Sequence, residues 1–267
     1  YNNLEEYLAD LKKALTTDHP RYKTLGTKVG DEYIQLNTAI IQIENEYYSS
    51  IRPKRLVGSG ERPINALRDN GIEYVEIRAL DNNIYDPFGI SDETAIFLES
   101  FLFYCLLSED QPCDADEIKK IQNNWGSVVL FGRDEDLKLQ FKEGSIPLRD
   151  KAAEILDEMT NFESRIGDQE YRNIFKKSLE TQRLKISDSN MTPSGKLLRE
   201  ISASGLSWDE YTDQIAKNHK EEILRLKKDV GYLEKQAKKS LEEFALKEAQ
   251  EEEDFDSFLG EYLSAIE

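Results

Sequence analysis

The stretch GIEYVEIRALD, residues 71–81, restricts the fold more than any other part of the chain. It reads as a strand over residues 72–80, and successive side chains of a strand point to opposite faces. Val75, Ile77 and Ala79 share one face, and Tyr74, Glu76, Arg78 and Leu80 share the other. The first face is suited to pack on helices. The second holds a carboxylate and a guanidinium, and burying either alone costs several kcal/mol. Glu76 and Arg78 must therefore be paired, solvated or bound to an ion.

Around this strand the first ninety or so residues alternate short elements with loops. Leu4, Leu8, Leu11 and Leu15 have helical spacing, and Asn2 or Asn3 is placed to cap that helix. HPRYKTLGT reads as a loop. Strands are expected near Glu32–Leu36 and Ile40–Glu44, where β-branched and aromatic residues concentrate. IRPKRLVGSGERP reads as an irregular strand and loop, and INALRDNG as a short helical turn closed by Gly71.

From Ser91 the character changes to helix. Ser91 caps AIFLESFLFYCLL, whose apolar surface runs nearly all round and predicts a buried helix holding Cys105 in the core. Asp114 and Glu117 have capping-box spacing for a helix through Ile121. WGSVVLFGR and LKLQF read as extended or loop segments. Helices are expected from Pro147 to about Phe162, from about Glu170 to Leu184, and from Pro193. The capping box of Ser207 and Glu210 precedes one long run to about Ala249, striped by Leu224, Leu226, Val230, Leu233, Ala237, Leu241 and Phe244. The heptad is not sustained, so this is a docked amphipathic helix rather than a coiled coil. The acidic run EEED that follows is a solvated surface. The expected organisation is a mixed α+β part over residues 1–90 and a helical part over 91–267 that packs on it.

Composition removes several function classes. The net charge is −18 over 267 residues, which opposes binding to a bare phosphate backbone, so no nucleic-acid partner is expected. A nucleotide with its counter-ion needs only a few local charges. No stretch approaches the ~20 apolar residues of a membrane span, and no signal peptide is visible. Cys105 and Cys113 form neither a disulfide framework nor a zinc spacing, which points to a reducing compartment. His19 and His219 lack partners at metal spacing and read as solvated. Trp125 and Trp208 read as packing residues.

Two readings of the charged strand face remain open. One is an ion pair on a wet sheet. The other is the floor of a cleft, with Glu76 as a hard oxygen ligand for Mg²⁺ and Arg78 as a planar clamp on a phosphoryl group. IENEYYSSIRPKR, residues 43–55, divides the same way. It is either an ordinary polar strand end or a substrate-binding rim of carboxylates, tyrosine and basic residues, with Lys54 and Arg55 available to phosphate.

IENEYYSSIRPKR, SGERP, GIEYVEIRALD, PFGI and NNWGSVVLFGR, in that order, closely resemble the glutamate–cysteine ligases (γ-glutamylcysteine synthetases) of the proteobacterial type. The resemblance covers this whole chain but only the C-terminal half of the family's chain. It implies a glutamine synthetase-like catalytic core, an antiparallel sheet cradling ATP and several Mg²⁺ ions (with Mn²⁺ a possible substitute), packed with helices. It implies ATP-dependent joining of glutamate to cysteine in the cytoplasm. Glu76 matches a metal-ligating glutamate, Arg78 the arginine that contacts the transferred phosphate, and Tyr48 a tyrosine of the cysteine pocket. Asn45, Glu46 and Arg52 lie in the same motif and are expected to line the site. Most of the family's metal carboxylates belong to the half not present here, so this chain is expected to hold part of a site and to need that half as partner. The rival expectations are a non-catalytic helical interaction module and another glutamate–amine ligase of the glutamine synthetase-like group.

Overall fold

The computed structural model describes residues 1–58, 60–109, 111–226, 230–249 and 254–266. The chain divides into two compact units, Tyr1–Leu80 with Asp229–Glu267, and Asp81–Lys228. The C-terminal segment thus groups with the first eighty residues rather than with the helices that precede it.

In the first unit, α1 (Leu4–Thr16) is capped by Asn3, whose Oδ1 accepts from the Glu6 amide at 2.8 Å. Tyr7, Leu11 and Leu15 face inward and form a core with Ile64 and Leu67 of a later helix. HPRYKTLGT is not wholly a loop. Pro20 occupies the first turn of a short helix, α2 (Pro20–Leu25), where its missing N–H costs nothing. The expected strand at Glu32–Leu36 shrinks to a two-residue pairing of β1 (Lys28–Val29) with β2 (Glu32–Tyr33). The strand expected at Ile40–Glu44 is absent. The Ile40 and Ile41 amides instead bond the carbonyls of Thr17 and Ala14 at the end of α1, and Glu44–Glu46 forms a 3₁₀ turn. After β3 (Ile51–Lys54) and its loop, in which Ser59 lies outside the described residues, come α3 (Pro63–Asn70) and β4 (Tyr74–Ile77). β3 and β4 pair antiparallel with Arg52 opposite Glu76. The face of β4 expected to pack on helices stays open, with Val75 and Ala79 exposed.

The second unit is helical around one hairpin. α4 (Asp92–Leu107) begins at the Ser91 cap as expected, but it is not buried. Phe103, Leu106 and Leu107 are each more than half exposed, and Cys105 is exposed as well. α5 (Ala115–Phe131) runs ten residues past the expected end and absorbs WGSVVLF, because a helix already capped by Asp114 overrides the local strand preference of Val128 and Val129. Trp125, like Trp208, is half exposed rather than packed. β5 (Lys138–Phe141) and β6 (Gly144–Pro147) form a hairpin leading into α6 (Leu148–Thr160). α4, α6 and α7 (Gln169–Ser187) pack through Phe97, Phe101, Leu156, Met159, Phe175 and Leu179. α8 (Pro193–Ser204) and α9 (Trp208–Arg225) follow, the latter with the capping box of Ser207 and Glu210 formed.

α9 ends where the backbone turns extended at Leu226. The long run to Ala249 is therefore two helices, α9 and α10 (Val230–Glu248). α11 (Phe255–Ser264) closes the first unit; the acidic run at 251–253 lies outside the described residues. The architecture is α+β, with the described strands paired two by two.

Gly195 tests how tightly the second unit is packed. A Cβ there would lie 2.4 Å from the Ser189 carbonyl and 2.8 Å from Asn190 Cα. Gly195→Ala is expected to destabilise by about 1–3 kcal/mol through overpacking, against the roughly 1 kcal/mol that alanine normally adds to a helix interior. A urea titration reads the sign: a raised midpoint would show that the turn at 189–191 yields freely.

Candidate functional site

Alternation along β3 and β4 builds the site. Arg52 and Lys54 on β3, and Tyr74 and Glu76 on β4, fall on one face, and Arg78 continues it just past the strand. Arg52 donates from Nε and Nη2 to Glu76 Oε2 at 3.1 and 2.7 Å. Its Nη1 donates to the Tyr47 carbonyl at 2.6 Å. Arg78 Nε donates to Glu76 Oε1 at 2.9 Å, and Lys54 Nζ stands 3.7 Å from Oε2. Three cations thus surround one carboxylate, leaving two positive charges in excess.

The three cations differ in freedom. The Arg52 side chain is 5% exposed and locked, whereas that of Arg78 is 37% exposed. Tyr48, itself largely exposed, lies beside both, with its ring centroid 4.9 Å from the Arg78 guanidinium and 5.8 Å from that of Arg52. A cavity of about 310 Å³ opens beside β3, lined by Asn45, Arg52, Lys54, Arg55 and Tyr74 and by Tyr7 and Leu11 of α1.

The structure therefore brings together Tyr48, Arg52, Glu76 and Arg78, and sets Asn45 on the neighbouring cavity. It does not bring in Glu46, whose Oε2 accepts from the Gln42 amide at 2.7 Å. Arg55 is spent on the end of α3, donating from Nη1 to the carbonyls of Asn70 and Gly71 at 2.6 and 3.2 Å. His219 is not simply solvated, since its Nε2 lies 2.8 Å from the Ile84 carbonyl. The sequence reading overlooked the buried pair beneath the site. Arg62 Nε and Nη2 donate to Glu44 at 3.0 and 2.8 Å, and both residues are buried. Lys54 was legible by its i, i+2 relation to Arg52. Nothing in the spacing of Glu44 and Arg62 marks them as partners, because they lie 18 residues apart on either side of β3 and its loop.

The hydrogen bonds from Arg52 hold the Glu76 carboxyl below the ordinary glutamate range; partial burial opposes this and Arg78 adds to it. A carboxyl depressed on folding stabilises above its unfolded pKa, about 4.3, and the contribution is lost as pH falls through the folded value. The melting-temperature gap between the chain and Glu76→Gln is therefore expected to be constant from about pH 7 to 5 and to close below about pH 4. A gap persisting unchanged at pH 3 would show that the charge of Glu76 is not its source.

Residues 1–128 match the family model for glutamate–cysteine ligase. Over 269 aligned residues the chain is 37% identical to the glutamate–cysteine ligase of Pseudomonas fluorescens, covering 100% of this chain and 51% of that protein. The enzyme of Pseudomonas savastanoi pv. phaseolicola is 38% identical with the same coverage. The crystal structure of glutamate–cysteine ligase from Francisella tularensis in complex with AMP superposes with a TM-score of 0.89 at 32% identity, over 99% of this chain and 53% of that one. This chain belongs to the glutamate–cysteine ligase family. It spans about half the length of the curated relatives it matches. A bifunctional glutathione synthetase from Pasteurella multocida, 18% identical with a TM-score of 0.53 over 82% of this chain, shares the fold alone.

Membership in the glutamate–cysteine ligase family raises the question of Mg²⁺. Glu76 offers a single carboxylate whose two oxygens already accept from guanidinium groups. Among the described residues no group of three or more His, Cys, Asp or Glu side chains is placed to hold a metal ion. The chain's own donor set does not fit a complete divalent-cation site, which needs oxygen ligands in excess of nearby positive charge. Among the described residues no helix is long and apolar enough to cross a membrane.

Proposed function

We propose that this chain supplies part of the active site of a ligase that joins the γ-carboxylate of glutamate to the amine of cysteine at the expense of ATP, the first step of glutathione synthesis. The observation that carries the reading is the cationic cluster around Glu76, in a chain related along its whole length to glutamate–cysteine ligases. A γ-carboxylate oxygen attacks the terminal phosphorus of ATP, ADP leaves, and γ-glutamyl phosphate forms. The cysteine amine then attacks the acyl carbon, loses a proton, and phosphate departs. Two anions must meet in the first step, so positive charge fixed beforehand lowers its barrier.

The residues divide that work by their freedom to move. Arg52, locked between Glu76 and the Tyr47 carbonyl, is a fixed field. Arg78, more exposed and joined to Glu76 through one nitrogen, turns its fork onto a phosphoryl oxygen. Tyr48 offers an exposed aromatic wall for the small side chain of cysteine, with Asn45 on the cavity edge. Such a wall separates side chains differing by one group by only about 1–3 kcal/mol. Glu76 would supply at most one carboxylate ligand to Mg²⁺ (or Mn²⁺), and the other ligands would come from the remaining half of the enzyme. The AMP bound by the Francisella relative supports an adenine nucleotide here. We place the activity in the cytoplasm, where ATP, glutamate and reduced cysteine occur together.

The test is ADP release with Mg²⁺, ATP, glutamate and cysteine, for this chain alone and mixed with the remaining half of a relative. Silence alone and cysteine-dependent turnover on mixing is the expected result. Turnover indifferent to cysteine points to another glutamate–amine ligase. Silence of a folded mixture favours an interaction module, for which the exposure of Leu233, Leu241 and Phe244 on α10 is the supporting observation.

A further inference from the structure

The second unit holds a partly open cavity of about 330 Å³ between α4, α6 and α7 that the ligase reading does not use. Its walls are mostly apolar, with Phe97 and Phe101 from α4, Leu148 and Ile155 from α6 and Ile186 from α7, and Gln182, Ser189 and Thr192 add polar groups. Two cations border it. Arg149 is already engaged, its Nη2 standing 3.0 Å from Glu135. Lys185 is not. Its Nζ donates to the Gln182 amide oxygen at 3.2 Å, and among the described residues it forms no ion pair.

A partly buried ammonium facing a mostly apolar cavity is an unfavourable arrangement, since its charge has lost water and the carboxylate that acts on it, Glu93, is ion-paired with Lys177. The cavity falls at the lower end of the size range of small-molecule sites, which combine apolar walls with a few polar anchors. We propose that it binds an aliphatic monocarboxylate, whose carboxylate pairs with Lys185 and whose hydrocarbon body lies against Phe97, Phe101 and Ile155. The charge rule follows from the wall chemistry. A neutral molecule of the same body leaves the ammonium unpaired, and a cationic one opposes it. A dianion brings a charge that the site matches only by taking Arg149 from Glu135. Burial also holds the Lys185 ammonium below the ordinary lysine range, with the Glu93 carboxylate opposing. This agrees with a group set up to receive a counter-ion. The proposal does not depend on the ligase reading, because none of the residues at the Glu76 cluster borders this cavity.

The probes are octanoate, octan-1-ol and octylamine, which share a chain length and differ in charge, titrated calorimetrically into the full chain. Octanoate is expected to bind once per chain, octanol at least tenfold more weakly, and octylamine not measurably. Lys185→Met, which keeps the apolar stem, is expected to weaken octanoate at least tenfold and to leave octanol unchanged. Lys185→Arg keeps the charge and is expected to restore most of the affinity. Lys176→Met, on the same helix but paired with Glu163, serves as the control and leaves octanoate binding intact. Octanoate should also protect Lys185 from trinitrobenzenesulfonate, read by peptide mass mapping. Equal binding of octanol and octanoate, unchanged octanoate affinity in Lys185→Met, or no binding of octanoate at millimolar concentration overturns the proposal.

Discussion

Arg78→Ala is expected to lower cysteine-dependent ADP release by about 10²–10³-fold in the two-part assay, acting on kcat more than on the KM for cysteine. The reason is positional. Arg78 is the most exposed cation of the cluster and is held by one nitrogen to a carboxylate that Arg52 still pairs when Arg78 is gone. The fold therefore keeps its ion pair and loses the one guanidinium free to meet a phosphoryl group. Arg78→Lys is expected to recover only part of the activity, because an ammonium restores the charge without the planar fork. Turnover of Arg78→Ala within threefold of the unmodified mixture would remove Arg78 from the phosphoryl-transfer step, while leaving the role of Tyr48 to be tested separately.

The second large effect concerns stability. Arg62→Ala is expected to cost about 3–5 kcal/mol, the usual consequence of removing one partner of a buried pair. The Arg62 side chain is fully buried, it holds Glu44 through two hydrogen bonds, and it donates to the Tyr262 carbonyl at 3.1 Å. Its guanidinium also lies 4.2 Å from the centroid of the Tyr262 ring. The substitution strands the Glu44 carboxylate and loosens the C-terminal end of α11, where Asn65 still donates to the Ala265 carbonyl at 2.5 Å, while Asp256 at the start of the helix keeps its contact with Lys28. Faster hydrogen exchange in α11 should accompany the lowered urea midpoint. The double variant Glu44→Leu, Arg62→Met should recover part of the loss, since an apolar pair of similar volume carries no desolvation cost. A loss below 1 kcal/mol in Arg62→Ala would show that water reaches Glu44 readily.

The elements that could be read correctly from the chain are those whose signal is local. The caps at Asn3, Ser91, Asp114 and Ser207 announce helices because each side chain satisfies an amide three residues on, within a single turn. The charged face of residues 74–78 was equally plain, since alternation alone puts Glu76 and Arg78 together. Misreadings cluster where the partner is distant. Ile40 and Ile41 have strand composition, yet their amides find carbonyls at the end of α1. α4 looks buried by composition, yet Leu106 is 76% exposed in the chain as it stands.

For the site itself, the residues of one strand and its flanking motif carried the types of group needed: a carboxylate, a guanidinium and a tyrosine within short spans. Which oxygen each cation takes, that Arg52 is locked while Arg78 is free, that Glu46 turns back to its own loop, and that Arg62 reaches Glu44 and Tyr262 all waited on the folded chain. The difference is physical. A capping bond or a strand face depends on dihedral angles of adjacent residues, which side-chain types bias directly. An ion pair across 18 residues, or a hydrogen bond across 200, depends on how whole elements pack, and no residue type along the chain encodes its partner.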